Sequence, residues 1–387
     1  MKIMLIGGGS GGHITPLLAV ASELKQSGEC QEIIAVCEKG SKFAYLYQES
    51  KDIDQLFQIP AGKYRRYSND SFLHKLLDIK TNILNIRDIF ITIYGYFQAR
   101  KLLKAQKPDA ILFKGGFVAV PVGFAASRLR IPFITHDSDS TPGLANKIIS
   151  KWAKYNAIGM PAELYDYPQE KIKYVGIPLS SQFQKVTEAL KSEYRNSLSL
   201  RSSDRVISVV GGSLGAKSLN EDIIKLSKTL VEKYPDLKII HIAGHVDEQN
   251  TINGYKAILG DEQFSKHIKV YGFVNNVYEI QGAADLVITR AGATQTAELA
   301  TQGLPIIIIP ANLAGAHQEK NARMFDSKEA ALVVGNGRPD DLQEAIMDLL
   351  NNDTKRSKLS RNLSNMASPH ASTDLVKLVL SLANPEN

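Results

Sequence analysis

The chain opens MKIMLIGGGSGGHITPLLAVASELK (residues 1–25), an apolar run from Lys2 to Ile6 that meets Gly7-Gly8-Gly9-Ser10-Gly11-Gly12-His13 and then a helical pattern. This spacing predicts a buried strand that turns on glycines into a helix. The device recurs once, where Arg205 to Val210 leads into Gly211-Gly212-Ser213-Leu214-Gly215-Ala216-Lys217. Glycine lets backbone N–H groups crowd against a phosphate, and the helix that follows offers its positive end to the same point. Both loops can hold anions.

Outward from these loops, short apolar runs alternate with helical patterns, as in parallel strands joined by helical crossovers. The fold class is α/β. Strands are expected at Lys2 to Ile6, Glu32 to Cys37, Ala110 to Phe113, Phe133 to His136, Asn156 to Gly159 and Tyr174 to Val175. A second series runs Arg205 to Val210, Leu237 to Ala243, Ile268 to Tyr271, Leu286 to Thr289 and Pro305 to Ile309. The linker is expected at Gly176-Ile177-Pro178, which divides the chain into an acceptor domain, 1–177, and a donor domain, 178–367. The last helix, Thr373 to Leu382 within about 368–387, is expected to pack back on the first domain.

Composition narrows the class. A chain of 387 residues, 44% hydrophobic and 22% charged, suits two globular domains. Cys30 and Cys37 are the two cysteines; they make neither a disulfide framework nor a CxxC pair, which points to a reducing compartment and no cysteine-built metal site. The N-terminus reads as a strand and not a secretory segment. The longest uncharged apolar stretch, Ile89 to Ala99, is far short of the roughly 18 residues of a spanning helix, so a cytoplasmic protein is expected.

Gly7, Gly9 and Gly12 also fit GxGxxG, and Glu38 closes the second strand where a dinucleotide fold places its ribose-binding acid. A nicotinamide oxidoreductase is therefore one reading. Against it stand His13 in the first helical turn, Pro16 soon after, and the second loop, which a single dinucleotide domain does not require.

GGGSGGHITPLLAVA from Gly7, KGGFVAVPVGFAA from Lys114, HDSDSTPGLANK from His136, GGSLGAKSLNE from Gly211, TRAGATQTAELATQGLPIIIIP from Thr289 and HQEKNA from His317 occur in that order. Together they resemble the MurG family, the undecaprenyl-diphospho-muramoylpentapeptide β-N-acetylglucosaminyltransferases, over nearly the whole chain. The resemblance implies a GT-B architecture, two Rossmann-like domains with parallel sheets facing a central cleft. It implies inverting transfer of N-acetylglucosamine from UDP-GlcNAc to the C4 hydroxyl of a lipid-linked muramyl-pentapeptide, a step of peptidoglycan synthesis, with no metal and no cofactor.

By the same resemblance, Ser213, Leu214, Gly215 and Asn220 belong to the donor phosphate loop, and Ala293, Thr294 and Gln295 offer helix-start amides to the same group. Glu298 would take the ribose hydroxyls, Val274 would border the uracil, and His317 and Gln318 would meet the sugar. On the acceptor side stand Ser10, Gly11, Gly12 and His13, with His13, Asp137 and Asp139 competing for the role of general base. The chain departs from the family pattern at Ser180, where an arginine is usual, at Asp137-Ser138-Asp139 after His136, and at Leu214 and Lys217. These changes leave a related GT-B transferase with another nucleotide sugar or lipid acceptor as the alternative, beside a non-catalytic nucleotide-sugar binder.

The net charge is +6, and much of the excess is local. Between Ala61 and Pro108, ten basic residues (Lys63, Arg65, Arg66, Lys75, Lys80, Arg87, Arg100, Lys101, Lys104, Lys107) face three acids (Asp70, Asp78, Asp88). Phe72, Leu76, Ile79, Ile83, Ile86, Phe90, Ile93 and Phe97 recur among them at helical spacing. The pattern suits a helix resting on the inner face of an anionic membrane, or the packed face of a crossover helix. No nucleic-acid-binding motif accompanies it, so no nucleic-acid partner is expected.

Overall fold

A computed structural model describes residues 1–64, 78–212, 216–311 and 317–384. They form two compact units, Met1–Ser181 with Ser368–Asn387, and Gln182–Ala367.

The first unit is built on a parallel sheet ordered β3-β2-β1-β4-β5-β6-β7. Its strands are β1 (Lys2–Gly7), β2 (Glu32–Glu38), β3 (Gln55–Ile59), β4 (Ala110–Gly115), β5 (Phe133–Asp137), β6 (Tyr155–Ile158) and β7 (Ile172–Tyr174). β1 is central, with Ile3 opposite Ile33 on one side and Ala110 on the other. Helices cover both faces, which is why β1 reads as a continuous apolar run instead of alternating. Ile3 and Leu5 pack with Leu17, Val20 and Leu24 of the helix Gly11–Ser27, whereas Met4 and Ile6 pack on the opposite face with Ala99, Leu103, Phe113 and Val122. The final helix, Ala371–Ala383, joins the first of these layers through Leu375, Val376, Val379 and Leu380. Thr373 Oγ1 donates to Glu23 at 2.7 Å, and Ser372 Oγ donates to the Leu179 carbonyl at 3.1 Å.

The second unit repeats the plan with the order β10-β9-β8-β11-β12-β13. Its strands are β8 (Arg205–Val210), β9 (Leu237–Ile242), β10 (Ile268–Tyr271), β11 (Leu286–Thr289), β12 (Ile306–Ile308) and β13 (Leu332–Val333). In each sheet the winding reverses beside the first strand, between β1 and β4 and between β8 and β11. The C-terminal ends of strands at such a reversal are where open α/β sheets bind ligands. Two strands are absent from the sequence reading. β3 is an edge strand with two glutamines, partly exposed, and β13 has only two residues.

The helix Ile79–Gln106 starts at Asp78, whose side chain accepts the Thr81 amide at 3.0 Å, and ends at Lys107 with φ 48°. The Phe72 to Leu76 part of the expected amphipathic segment, with Arg65, Arg66, Asp70 and Lys75, lies outside the described residues. Ala99 and Leu103 face the core. Ile83, Phe90 and Phe97 do not: they are 60%, 67% and 62% exposed, and Ile86 and Ile93 are exposed beside them. Core packing therefore accounts for the opposite face of this helix and not for the apolar row read from the sequence. The helix backbone comes so close to the end of β3 that a Cβ on Gly95 would overlap the Pro60 carbonyl. Gly95→Ala is expected to destabilise the chain by about 1–3 kcal/mol, read as a lowered thermal midpoint. An unchanged midpoint would mean that the two segments separate readily.

Candidate functional sites

In the first unit the site grows from the turn after β1. A Cβ on Gly8 would overlap Glu38 Oε2, and the Gly9 amide donates to both Glu38 oxygens at 3.0 and 3.1 Å. This corrects the dinucleotide reading: the acid at the end of β2 is spent on the loop itself and does not stand ready for a ribose. Ser10 caps the helix Gly11–Ser27 in extended conformation without a side-chain cap bond, so Ser10, Gly11 and Gly12 bring backbone to the helix start.

His13 sits in the first turn of that helix, and its Nδ1 lies 2.7 Å from the Gly8 carbonyl. A carbonyl only accepts, so Nδ1 carries the hydrogen and Nε2 keeps its lone pair. Nε2 faces the end of β4, 3.5 Å from where a Cβ on Gly115 would stand. Burial and then the Lys114 charge push the His13 pKa down, against the Gly8 hydrogen bond and the Asp139 charge, which raise it. A neutral imidazole with a bare Nε2 is the form a general base requires.

Lys114 is 3% exposed at the end of β4, and its Nζ donates to Ser138 Oγ at 2.7 Å. Burial brings its pKa down to about 8, while Asp137 and Asp139 work in the other direction. Both oxygens of Asp137 are hydrogen-bonded within the first unit. Its Oδ1 accepts from the Gly143 amide at 3.0 Å and Asn146 Nδ2 at 3.1 Å, and its Oδ2 accepts from the Tyr167 hydroxyl at 2.8 Å. It fastens the turn after β5. Asp139 is less buried; its carbonyl accepts the Tyr165 hydroxyl at 2.7 Å, and its charge reaches His13. Neither Asn146 nor Tyr167 stood out in the sequence, because their role depends on contacts nine and thirty residues away from Asp137.

In the second unit Ser213, Leu214 and Gly215 lie outside the described residues, as does the side chain of His317. Gly211 and Gly212 close β8, and the helix Lys217–Lys233 follows. Ala293, Thr294 and Gln295 open the helix Ala293–Gln302 at the end of β11, with Gly292 as an extended cap. Gln295 reaches back to the loop: its Oε1 is 3.9 Å from where a Cβ on Gly212 would stand, and its buried Nε2 has no partner among the described residues. Glu298 stands one turn along, and burial lifts its pKa from an ordinary 4.5 up to about 8. Val274 follows β10 and packs, partly buried, against the Ile280 cluster.

Asn220 is buried and committed. Its Nδ2 donates to the Ala243 carbonyl at 3.0 Å, and its Oδ1 accepts from His241 Nε2 at 3.0 Å; the Tyr255 hydroxyl in turn donates to His241 Nδ1 at 2.8 Å. Burial holds His241 near a pKa of about 3, so the ring is neutral and this donor order is consistent. Asn220 thus ties the helix to β9. Gln318 Oε1 accepts from the Ala311 amide at 3.0 Å, and Asn321 Nδ2 donates to the Ala291 carbonyl at 3.0 Å. The HQEKNA segment therefore braces two loops at the ends of β11 and β12, a task for Asn321 that the sequence did not disclose.

Two doubly wound parallel sheets, each with a glycine turn into a helix at its point of reversal, define the class: a protein of two Rossmann-like domains, the GT-B architecture. Residues 3–158 match the glycosyltransferase family 28 N-terminal domain, and residues 206–375 match the family 28 C-terminal domain. The chain is 30% identical to a UDP-N-acetylglucosamine–N-acetylmuramyl-(pentapeptide) pyrophosphoryl-undecaprenol N-acetylglucosamine transferase of Natranaerobius thermophilus, covering 99% of this chain and 100% of that protein. A Listeria monocytogenes protein of the same name is also 30% identical, over 99% of each chain. The crystal structure of Acinetobacter baumannii MurG superposes with a TM-score of 0.71 at 24% identity, covering 98% of this chain and 99% of that one. A Neisseria meningitidis UDP-GlcNAc 2-epimerase shares the fold, at a TM-score of 0.67 and 13% identity over 98% of this chain and 100% of the other. The chain belongs to glycosyltransferase family 28 and, within it, to the MurG family.

The raised pKa of Glu298 makes a prediction about stability. Between pH about 4.5 and 8 the folded chain holds a proton that the unfolded chain has lost, so this group's contribution falls as pH rises through that window. Glu298→Gln, neutral throughout, is expected to raise the thermal midpoint relative to the parent at pH 8 and to leave it unchanged at pH 4. An equal effect at both pH values would place the carboxyl in water.

Proposed function

We propose that the chain transfers N-acetylglucosamine from UDP-GlcNAc to the C4 hydroxyl of an undecaprenyl-diphospho-muramoyl-pentapeptide, with inversion at the anomeric carbon. The family supports the donor and the acceptor. The observation that carries the chemistry is the neutral His13, its Nδ1 hydrogen given to Gly8 and its Nε2 bare. In the reaction the acceptor hydroxyl gives its proton to Nε2 as its oxygen bonds C1. The bond from C1 to the β-phosphate oxygen breaks, and UDP leaves with the electron pair. Asp139 stabilises the imidazolium that forms, and Lys114 keeps the resting ring unprotonated.

In the second unit the turn at Gly211-Gly212 and the amides that begin at Ala293 receive the diphosphate, and the unsatisfied Gln295 Nε2 donates to it. Glu298 releases its proton to water as the nucleotide binds and its carboxylate accepts the ribose hydroxyls, and Val274 borders the uracil. His317 and Gln318 meet the sugar.

The acceptor is a lipid, and the helix Ile79–Gln106 presents a surface suited to its membrane. Ile83, Ile86, Phe90, Ile93 and Phe97 share one face, and Arg100, Lys101 and Lys104 continue it toward the C-terminus. Each basic residue contributes about 1 kcal/mol beside anionic lipid. No helix among the described residues is long and apolar enough to cross a membrane, so contact would be peripheral, on the inner leaflet.

Purified protein given UDP-GlcNAc and a short-chain analogue of the lipid acceptor is expected to release UDP only when the acceptor is present. His13→Ala should lower kcat by about 10²–10⁴-fold and leave UDP binding intact. Acceptor-independent release, or unchanged kcat in His13→Ala, would contradict the assignment. A Phe90→Ser/Phe97→Ser double variant should lose co-sedimentation with vesicles containing anionic lipid while keeping turnover of the water-soluble acceptor; equal sedimentation would remove the helix from the membrane surface.

A further inference from the structure

Arg290 is the last residue before the Ala291-Gly292 turn that opens the helix Ala293–Gln302, and it is only 6% exposed. Its Nη2 donates to Ser218 Oγ at 2.6 Å; its Nη1 donates to Asn336 Oδ1 at 2.9 Å and to the carbonyls of Ile309 at 3.0 Å and Pro310 at 3.4 Å. Ser218 Oγ donates in turn to Asn336 Oδ1 at 3.0 Å, which closes a triangle of three side chains. Ser218 is the second residue of the helix that follows the Gly211 loop. One guanidinium therefore joins the starts of two helices, the end of β12 and the turn after β13.

All four acceptors are neutral, yet the group that holds them carries a full charge. Burial disfavours that charge; the carboxylate that acts on it through space is Asp222, one turn along the Ser218 helix. Such a charge is costly to bury, and Asp222 offsets it without a hydrogen bond to the guanidinium. Asn or Gln in this position could make part of the same frame without burying a charge, so a purely structural role does not account for a cation. An anion seated at the two helix starts would add negative charge to that of Asp222, and the fork would hold those starts at the spacing the anion needs.

We infer that Arg290 is a positioning residue for the donor diphosphate, fixing both anion-binding helix starts through Ser218 and Asn336 and favouring the phosphates by its charge. This rests on the reading of the second unit as the nucleotide site, and the test separates the two. Isothermal titration would compare UDP with uridine, which keeps the contacts to Val274 and Glu298 but lacks phosphate. Arg290→Met should weaken UDP by about tenfold or more and uridine by much less. Arg290→Lys, which keeps the charge, should recover part of the loss for UDP. If Arg290→Met does not fold, Ser218→Ala/Asn336→Ala, which leaves the charge and removes its side-chain acceptors, should again weaken UDP more than uridine. Equal weakening of UDP and uridine in whichever of these variants folds, or no weakening of UDP, would overturn the inference. Failure of the parent protein to bind UDP would overturn the nucleotide-site reading, and the inference with it.

Discussion

The turn between β1 and its helix leaves no room for a side chain at Gly8, because the Glu38 carboxylate occupies that space to accept the Gly9 amide. The bend fixed in this way turns the Gly8 carbonyl toward His13 Nδ1 at 2.7 Å. Tautomer, ring orientation and the direction of Nε2 all follow from that contact. The pKa of the ring then depends on its neighbours: burial and Lys114 keep it neutral, and Asp139 stands by to stabilise a proton once it arrives. A strand of apolar residues buried on both faces supplies the rigid base for this turn, with Ile3 and Leu5 locked into one layer and Met4 and Ile6 into the other.

The second unit uses the same strand, turn and helix for the opposite electrostatic purpose. Where the first turn leads to a neutral base, the second leads to positive helix ends, an unsatisfied Gln295 amide and a buried arginine. Glu298, whose burial raises its pKa to about 8, completes the contrast. On the proposed reading, duplication provides one site for a nucleophile to lose a proton and one for a diphosphate to depart.

Much of this was legible in the residues. Continuous apolar runs gave the buried parallel strands, since strands covered on both faces do not alternate. The glycines before His13 and before Lys217 marked the two reversal points. What was hidden depends on contacts distant in sequence. Glu38, Asp137 and Asn220 are polar residues beside ligand loops, and nothing local distinguishes a carboxylate or amide facing a ligand from one spent on its own backbone. β3 escaped notice because an edge strand with Gln55 and Gln58 lacks the apolar run, and Arg290 because its partners lie up to 72 residues away in sequence. The apolar row of the helix Ile79–Gln106 was visible, but only the structure shows that it is exposed and not part of the core.

The most direct test of the division of labour between the two loops is a crystal structure of the chain with UDP-GlcNAc bound. The diphosphate is expected at Gly211-Gly212 and the start of the helix Ala293–Gln302, with Glu298 on the ribose hydroxyls and the Gly7 to Gly12 turn free of nucleotide. Nucleotide density at the first turn, or a ribose distant from Glu298, would contradict the account.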